Sequence, residues 1–286
     1  MVAVELIGGL GNQMFQYATA RALALARDED FVLDNHLFAN YDLHDYALNH
    51  FNIKGSFFEK ERAVFEPLSF SEKAKAVFLQ KKIYNIFEEQ GLTYDTKLID
   101  LPYKNIFLKG YFQSEKYFIR FEDQLRKDFE IKSPLKKETI DLLKIIGSEN
   151  SVSLHIRRGD YVNNAEANAV HGTCDLNYYH KAIAIIREKI ENPVFFIFSD
   201  DINWAKENLK IDSTTYFVDF NNAATNYEDI KLMSTCKHNI IANSSFSWWG
   251  AWLNANKSKI VIAPSKWFNV EYHNSKDIIP EPWMKI

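Results

Sequence analysis

Two arginines stand side by side in His155-Ile156-Arg157-Arg158-Gly159-Asp160, directly after a short apolar run that reads as a strand. Arginine suits phosphate: its planar guanidinium stays charged and donates two parallel hydrogen bonds. Neighbouring side chains on an extended segment point to opposite sides, so both arginines are not expected on the same oxygen. One can face a ligand while the other supports the loop through ion pairs. The competing reading of these residues is structural, an Arg–Asp pair pinning a turn with Asp160 as partner.

Three other segments have the same character. Ser199-Asp200-Asp201 follows the apolar run 193–198. Carboxylates there can accept from ribose hydroxyls or from guanine, hold a metal, or cap a helix starting near Asn203; one can cap while its neighbour faces a ligand. Asn243-Ser244-Ser245-Phe246-Ser247-Trp248-Trp249-Gly250 places hydroxyls and backbone N–H groups where a helix begins, an anion-binding arrangement. Its tryptophans are expected in the core. Gly8-Gly9-Leu10-Gly11-Asn12-Gln13 is only partly a dinucleotide fingerprint, because Met14 replaces the final glycine. It reads better as a tight turn presenting Asn12 and Gln13. No Walker lysine follows it, and nothing suggests a serine-hydrolase elbow or a zinc site.

These segments need elements to position them. The pattern predicts strands over 2–7, 106–108, 151–156, 194–198, 215–218, 239–242 and 259–263. Helices are expected over 12–26, 71–82, 177–191, 203–209, 226–235 and 246–254. Short apolar strands alternating with amphipathic helices indicate βαβ units and parallel sheets, whose strands end on a common ligand-bearing edge. Residues 34–130 have mixed periodicity and are mostly unassigned. The charged stretch 133–138 reads as a hinge, dividing an N-terminal domain, 1–133, from a C-terminal domain, 134–286. The expected class is α/β, two halves facing each other across a cleft.

Composition narrows the function further. A net charge of -4 gives no general polyanion-binding surface, so nucleic acid is not an expected partner. Cys174 and Cys236 lie outside metal-ligand spacing and suit a reduced, cytoplasmic chain. The N-terminus lacks the basic flank of a signal peptide, and no apolar run reaches the ~20 residues that cross a bilayer. Any membrane contact is expected to be peripheral.

Taken in order, five segments resemble the α-1,2-fucosyltransferases of glycosyltransferase family 11. They are Gly8 to Ala18, Gly110-Tyr111-Phe112-Gln113-Ser114, His155 to Tyr161, Phe198-Ser199-Asp200-Asp201 and Asn243 to Gly250. The resemblance implies a GT-B fold, with two Rossmann-like domains, an acceptor-side N-terminal one and a C-terminal one that binds GDP-fucose. It implies inverting transfer of L-fucose to the 2-hydroxyl of a terminal β-galactose, without an obligatory metal or other cofactor. Arg157 is then expected on the diphosphate. Further donor contacts are expected from His155, Arg158, Asp200, Asp201, Ser244, Ser245 and Phe246, with Gly9, Gly11, Asn12 and Gln13 closing the site. Asp160 is the candidate base, with Glu166 or another residue of 162–175 as its alternative; that segment and 34–58 are expected to influence acceptor choice. Because the chain begins at the glycine strand, it matches the soluble bacterial form of the family. Competing readings are an α-1,6 or protein O-fucosyltransferase, a non-catalytic GDP-sugar-binding protein and, more distantly, a NAD-dependent oxidoreductase.

Overall fold

The structure is a computed structural model, and it describes residues 1–41, 43–159, 168–170, 172–270 and 274–286. Asp160 and Glu166 lie outside the described residues, as does part of 162–175. The chain divides into two compact units, Met1–Glu130 with Lys276–Ile278, and Ile131–Ser275 with Ile279–Ile286.

The first unit contains β1 (Val2–Glu5), α1 (Leu10–Arg27), β2 (Phe31–Asp34), β3 (Ser56–Phe57), β4 (Ala63–Phe65), α2 (Phe70–Phe78), β5 (Lys82–Glu88), β6 (Ile106–Lys109) and α3 (Glu122–Asp128). Its sheet runs β3-β2-β1-β6-β5-β4 with every pairing parallel. The sheet centre is apolar on both faces, as crossover helices require: Val2, Ala3 and Val4 are buried, as are Ile106, Phe107 and Leu108. Helix α1 is rich in Ala and Leu, which favour helix, and it ends where Asp28 turns left-handed at φ 51°.

The second unit follows with α4 (Lys137–Ser148), β7 (Asn150–Ile156), α5 (Leu176–Lys189), β8 (Pro193–Ser199), α6 (Ile202–Asn208), β9 (Thr215–Phe217), α7 (Asn226–Thr235), β10 (His238–Ile240), α8 (Ser245–Leu253), β11 (Val261–Ala263) and β12 (Met284–Lys285). The sheet order is β12-β11-β10-β7-β8-β9, again all parallel. From β9 across to β12, this is the doubly wound 3-2-1-4-5-6 order of dinucleotide-binding domains. The winding reverses between β7 and β10, and in such sheets ligands lie in the crevice beyond the strand ends at that reversal. Phe195, Ile197, Val152, Leu154 and Ile156 pack with Tyr179 and Ile186 of α5 to form the core.

The clear apolar alternation of the second half becomes the strands and helices expected of it, with boundaries shifted by a residue or two. In the first half, the helix expected over 71–82 stops at Phe78, because Gln80 takes φ 53° and Lys82 already begins β5. Strand β2 is buried throughout but only four residues long, and β3 to β5 carry weak signals: β3 is two exposed residues, and only Tyr84 of β5 is buried. Both cysteines are free.

Two helical glycines make opposite predictions. A Cβ on Gly250 would stand 2.8 Å from Cβ of Met233, where α7 and α8 pack, so Gly250→Ala is expected to destabilise by about 1–3 kcal/mol. Nothing lies within 4 Å of a Cβ on Gly147, in the last turn of α4, so Gly147→Ala should stabilise by up to ~1 kcal/mol. Urea midpoints read both, and shifts of the same sign would contradict this packing.

Candidate active site

At the carboxyl end of β7 the chain leaves the sheet as Arg157-Arg158-Gly159, and at the end of β8 as Asp200-Asp201. Strands β7 and β8 are paired with His155 opposite Phe198 and Ile156 opposite Ser199, so the two exits are adjacent. Asp200 joins them. One carboxylate oxygen receives Nη1 of Arg157 at 2.8 Å, and the other accepts the backbone N–H of Arg158 at 2.8 Å. Glycine at 159 permits this approach, since a Cβ there would lie 2.6 Å from Oδ2 of Asp200. Arg157 keeps 25% of its side chain exposed, so the guanidinium is held in place yet reachable from solvent.

Arg158 goes the other way. Its guanidinium carbon sits 3.8 Å from the ring centre of Trp204, a cation–π stack, and its Nε lies 3.5 Å from Asp201. Asp201 caps α6 by accepting the N–H of Trp204 at 3.2 Å. The two adjacent arginines therefore diverge. The aspartates have different tasks: Asp200 orients Arg157, and Asp201 starts a helix while facing Arg158. Among the described residues, the aspartate paired with Arg157 in this turn is Asp200, just past the neighbouring strand.

His155 is the last but one residue of β7 and is buried, with its ring 5.6 Å from that of Phe246. Burial, reinforced by the nearby charge of Arg157, pushes its pKa down to about 3. The ring is neutral at pH 7. Its Nδ1 is buried with no hydrogen-bond partner among the described residues, an unusual state for such an atom.

The turn after β10 completes this edge. Asn243 stitches it down by donating to the carbonyls of Trp267 at 3.1 Å and Gly172 at 3.3 Å. Ser244 is the N-cap of α8 and accepts the N–H of Phe246 at 3.3 Å; a hydroxyl that accepts can still donate. Ser245 and Phe246 occupy the half-buried first turn, whose backbone N–H groups have no acceptors within the helix. Trp248, Trp249 and Trp252 are core residues, as expected.

The remaining expected residues belong to the first unit. Gly9 is the N-cap of α1, and Gly11 is buried in its first turn. Asn12 accepts a hydrogen bond from Gln113 at 2.8 Å, joining the turns beyond β1 and β6. Gln13 differs from the expectation of a presented side chain: it is fully buried, donates to the carbonyls of Gly8 and Asp45, and accepts from the N–H of Ala47. Both ends of its amide are occupied by the fold, so its task is to hold the glycine turn against 45–47.

Sequence reading missed three groups at these sheet edges. Glu89, just past β5, accepts the N–H groups of Tyr111 and Phe112 at 2.9 and 2.8 Å, holding Phe112 at a left-handed φ of 52°. Burial pushes its pKa up to about 7. Asp229, in the first turn of α7, is also pushed up to about 7 by burial and accepts from Asn221 at 2.6 Å. Trp204 supplies the stacking face for Arg158. An acidic first turn was a visible signal for Asp229; Glu89 had none while β5 was unassigned. Among the described residues, no group of three His, Cys, Asp or Glu side chains could hold a metal ion. A groove of about 450 Å³ runs along β9, lined by Lys206, Leu209, Thr215 and Phe217 among others, and includes none of the residues of this site.

The fold is two Rossmann-like α/β domains, with an arginine clamped at the switch point of the second. The chain belongs to glycosyl transferase family 11, whose sequence profile matches residues 1–286. It is 40% identical to an alpha-1,2-colitosyltransferase of Escherichia coli, over 100% of this chain and 99% of that protein. It is 36% identical to the O-antigen biosynthesis glycosyltransferase WbnK of Escherichia coli, covering 98% and 99%. Galactoside alpha-(1,2)-fucosyltransferase 2 of Rattus norvegicus is 26% identical over 88% of this chain and 67% of that protein. In structure, the fold matches the GT-B fucosyltransferase NodZ co-crystallised with GDP at a TM-score of 0.53 and 14% identity, covering 87% and 91%.

The neutral, buried His155 sets a pH prediction. Unfolded, the ring titrates near 6.5; folded, near 3. As pH falls from about 6.5, the unfolded chain takes up a proton that the folded chain refuses, so this contribution to stability shrinks. Glu89 and Asp229 act oppositely, favouring the fold at low pH and losing that contribution as pH rises through about 7. His155→Gln isolates the first effect. The stability gap between wild type and variant should narrow between about pH 7 and about pH 4.5; a gap independent of pH would contradict the buried neutral ring.

Proposed function

We propose that this protein is an inverting α-1,2-glycosyltransferase that moves L-fucose from GDP-fucose to the 2-hydroxyl of a terminal β-galactose. The observation that carries the reading is Arg157, held by Asp200 at the switch point of the second unit, where a doubly wound sheet takes its ligand. Arg157 grips the diphosphate, Ser244, Ser245 and the first turn of α8 add donors, and neutral His155 lies against the nucleotide beside Phe246. Asp229 and Asn221 follow β9 along the same carboxyl edge. The reaction is proposed to take place in the cytoplasm with no obligatory metal, the arginine supplying the positive charge.

The chemistry follows from where charge develops. The acceptor oxygen attacks the anomeric carbon from the face opposite GDP. The bond to the β-phosphate breaks as the new glycosidic bond forms, and the hydroxyl proton passes to a base. Negative charge grows on the departing phosphate, so a fixed guanidinium and oriented N–H groups stabilise the transition state more than the bound donor. Asp160, outside the described residues, is the proposed base.

The 40% relative named as an alpha-1,2-colitosyltransferase supports a second reading of the donor. Colitose is fucose without its 3-hydroxyl, and a pocket that hydrogen-bonds this hydroxyl discriminates far better than one that merely accommodates it. A direct test is to offer GDP-fucose and GDP-colitose with a panel of β-galactosides and determine the product linkage. An α-1,2 fucosyl product supports the first reading; preference for GDP-colitose transfers the assignment to the second. Release of GDP without a glycoside, or no turnover with either donor, contradicts both.

Arg157→Ala should lower kcat by about 10²–10³-fold, with little recovery in Arg157→Lys because the ammonium lacks the planar fork. Asp160→Asn should lose turnover while still binding GDP. Near-wild-type rates in Arg157→Ala would remove the diphosphate role, and parallel loss of GDP binding in Asp160→Asn would make Asp160 structural.

A further inference from the structure

Helix α2 of the first unit is unusual in what it leaves outside. Of its nine residues only Ala76 is buried. Phe70 is 90% exposed, Phe78 84% and Val77 71%. With Ala74, these residues recur at the spacing i, i+4, i+7, i+8, which places them on one face of a helix. The face therefore forms an apolar stripe turned away from the sheet.

Lysines flank the stripe. At 100° per residue, Lys73 falls on one flank and Lys75 on the other, with Lys81 and Lys82 just beyond the C-terminus. The nearby acids are engaged within the fold. Glu72 lies on the far side and closes the capping box with Ser69, and Glu66 pairs with Lys73 at 2.8 Å. Lysine stems can lie along apolar surface while their ammonium groups reach outward to headgroups.

We infer that α2 is a docking element for an anionic lipid surface, lying in the plane of the interface with Phe70, Val77 and Phe78 inserted and the lysines against acidic headgroups. A second copy of the chain fits less well. Two-fold pairing would set the stripe against itself and bring the lysines about it together, Lys75 and Lys81 among them, against the single flanking acid Glu66, which Lys73 already occupies. The inference is independent of the transferase reading, because α2 carries none of the residues placed in that site.

The test uses the purified full chain and vesicles of phosphatidylcholine with about one-third phosphatidylglycerol. The protein should sediment with them at about 0.1 M salt, remain in solution with pure phosphatidylcholine, and be released at about 0.5 M salt. Phe70→Ser with Phe78→Ser should reduce the bound fraction at least about fivefold. Lys75→Glu with Lys81→Glu should reduce it about tenfold. Both pairs should retain the wild-type circular dichroism and the same turnover of a soluble acceptor. Failure of the wild type to sediment with anionic vesicles, or equal sedimentation of the variants, overturns the inference. So does a vesicle-free dimer that the phenylalanine pair abolishes, which would assign the stripe to a second copy.

Discussion

The carboxylate of Asp200 is the constraint on which the candidate site depends. It sits at the end of β8 and reaches the exit of β7, fixing the guanidinium of Arg157 and the backbone of Arg158 together. An arginine on a mobile loop pays rotamer entropy each time it meets an anion; one already held in place does not. The register of β7 against β8 makes this contact possible, and Gly159 leaves the carboxylate room to arrive. Fold and site chemistry meet at this point.

The first unit uses amides and a carboxylate for a similar purpose. Gln16 accepts from the N–H of Ile7 and donates to the carbonyl of Gly110, linking the turns beyond the two central strands. Gln13 and Glu89 tie down the adjoining loops. The two glutamines are fully buried and Glu89 half-buried, all with good partners, so each fixes one loop geometry where an apolar residue would permit several. Rigid edges built in this way suit the binding of a small polar ligand, and they explain polar residues in positions otherwise expected to be core.

How much of this was legible in the sequence differs between the halves. Strands buried on both faces, such as Val194 to Phe198, announce themselves by unbroken apolar runs, and the second unit could be read element by element from β7 to β11, while α4 and β12 were not expected. The edge strand Ser56–Phe57 buries nothing and β5 buries only Tyr84, so both leave little pattern, while buried β2 is only four residues long. At the site, residue types pointed to an anion grip, and the divergence of Arg157 and Arg158 followed from strand geometry alone. Pairing across strands did not. Nothing local connects Asp200 to residue 157; the partner within reach in sequence, Asp160, lies outside the described residues. Gln13 was misjudged for a related reason: a polar side chain after a glycine turn looks presented until its three buried partners are known.

The central claim is that Asp200 acts through Arg157 on a bound nucleoside diphosphate. Calorimetric GDP binding to wild type, Asp200→Asn, Arg157→Ala and the double variant tests it most directly. Arg157→Ala should weaken binding at least about tenfold, Asp200→Asn should weaken it by less, and the double variant should be no weaker than Arg157→Ala alone. Wild-type affinity in Asp200→Asn, or losses that add in full, would contradict the account.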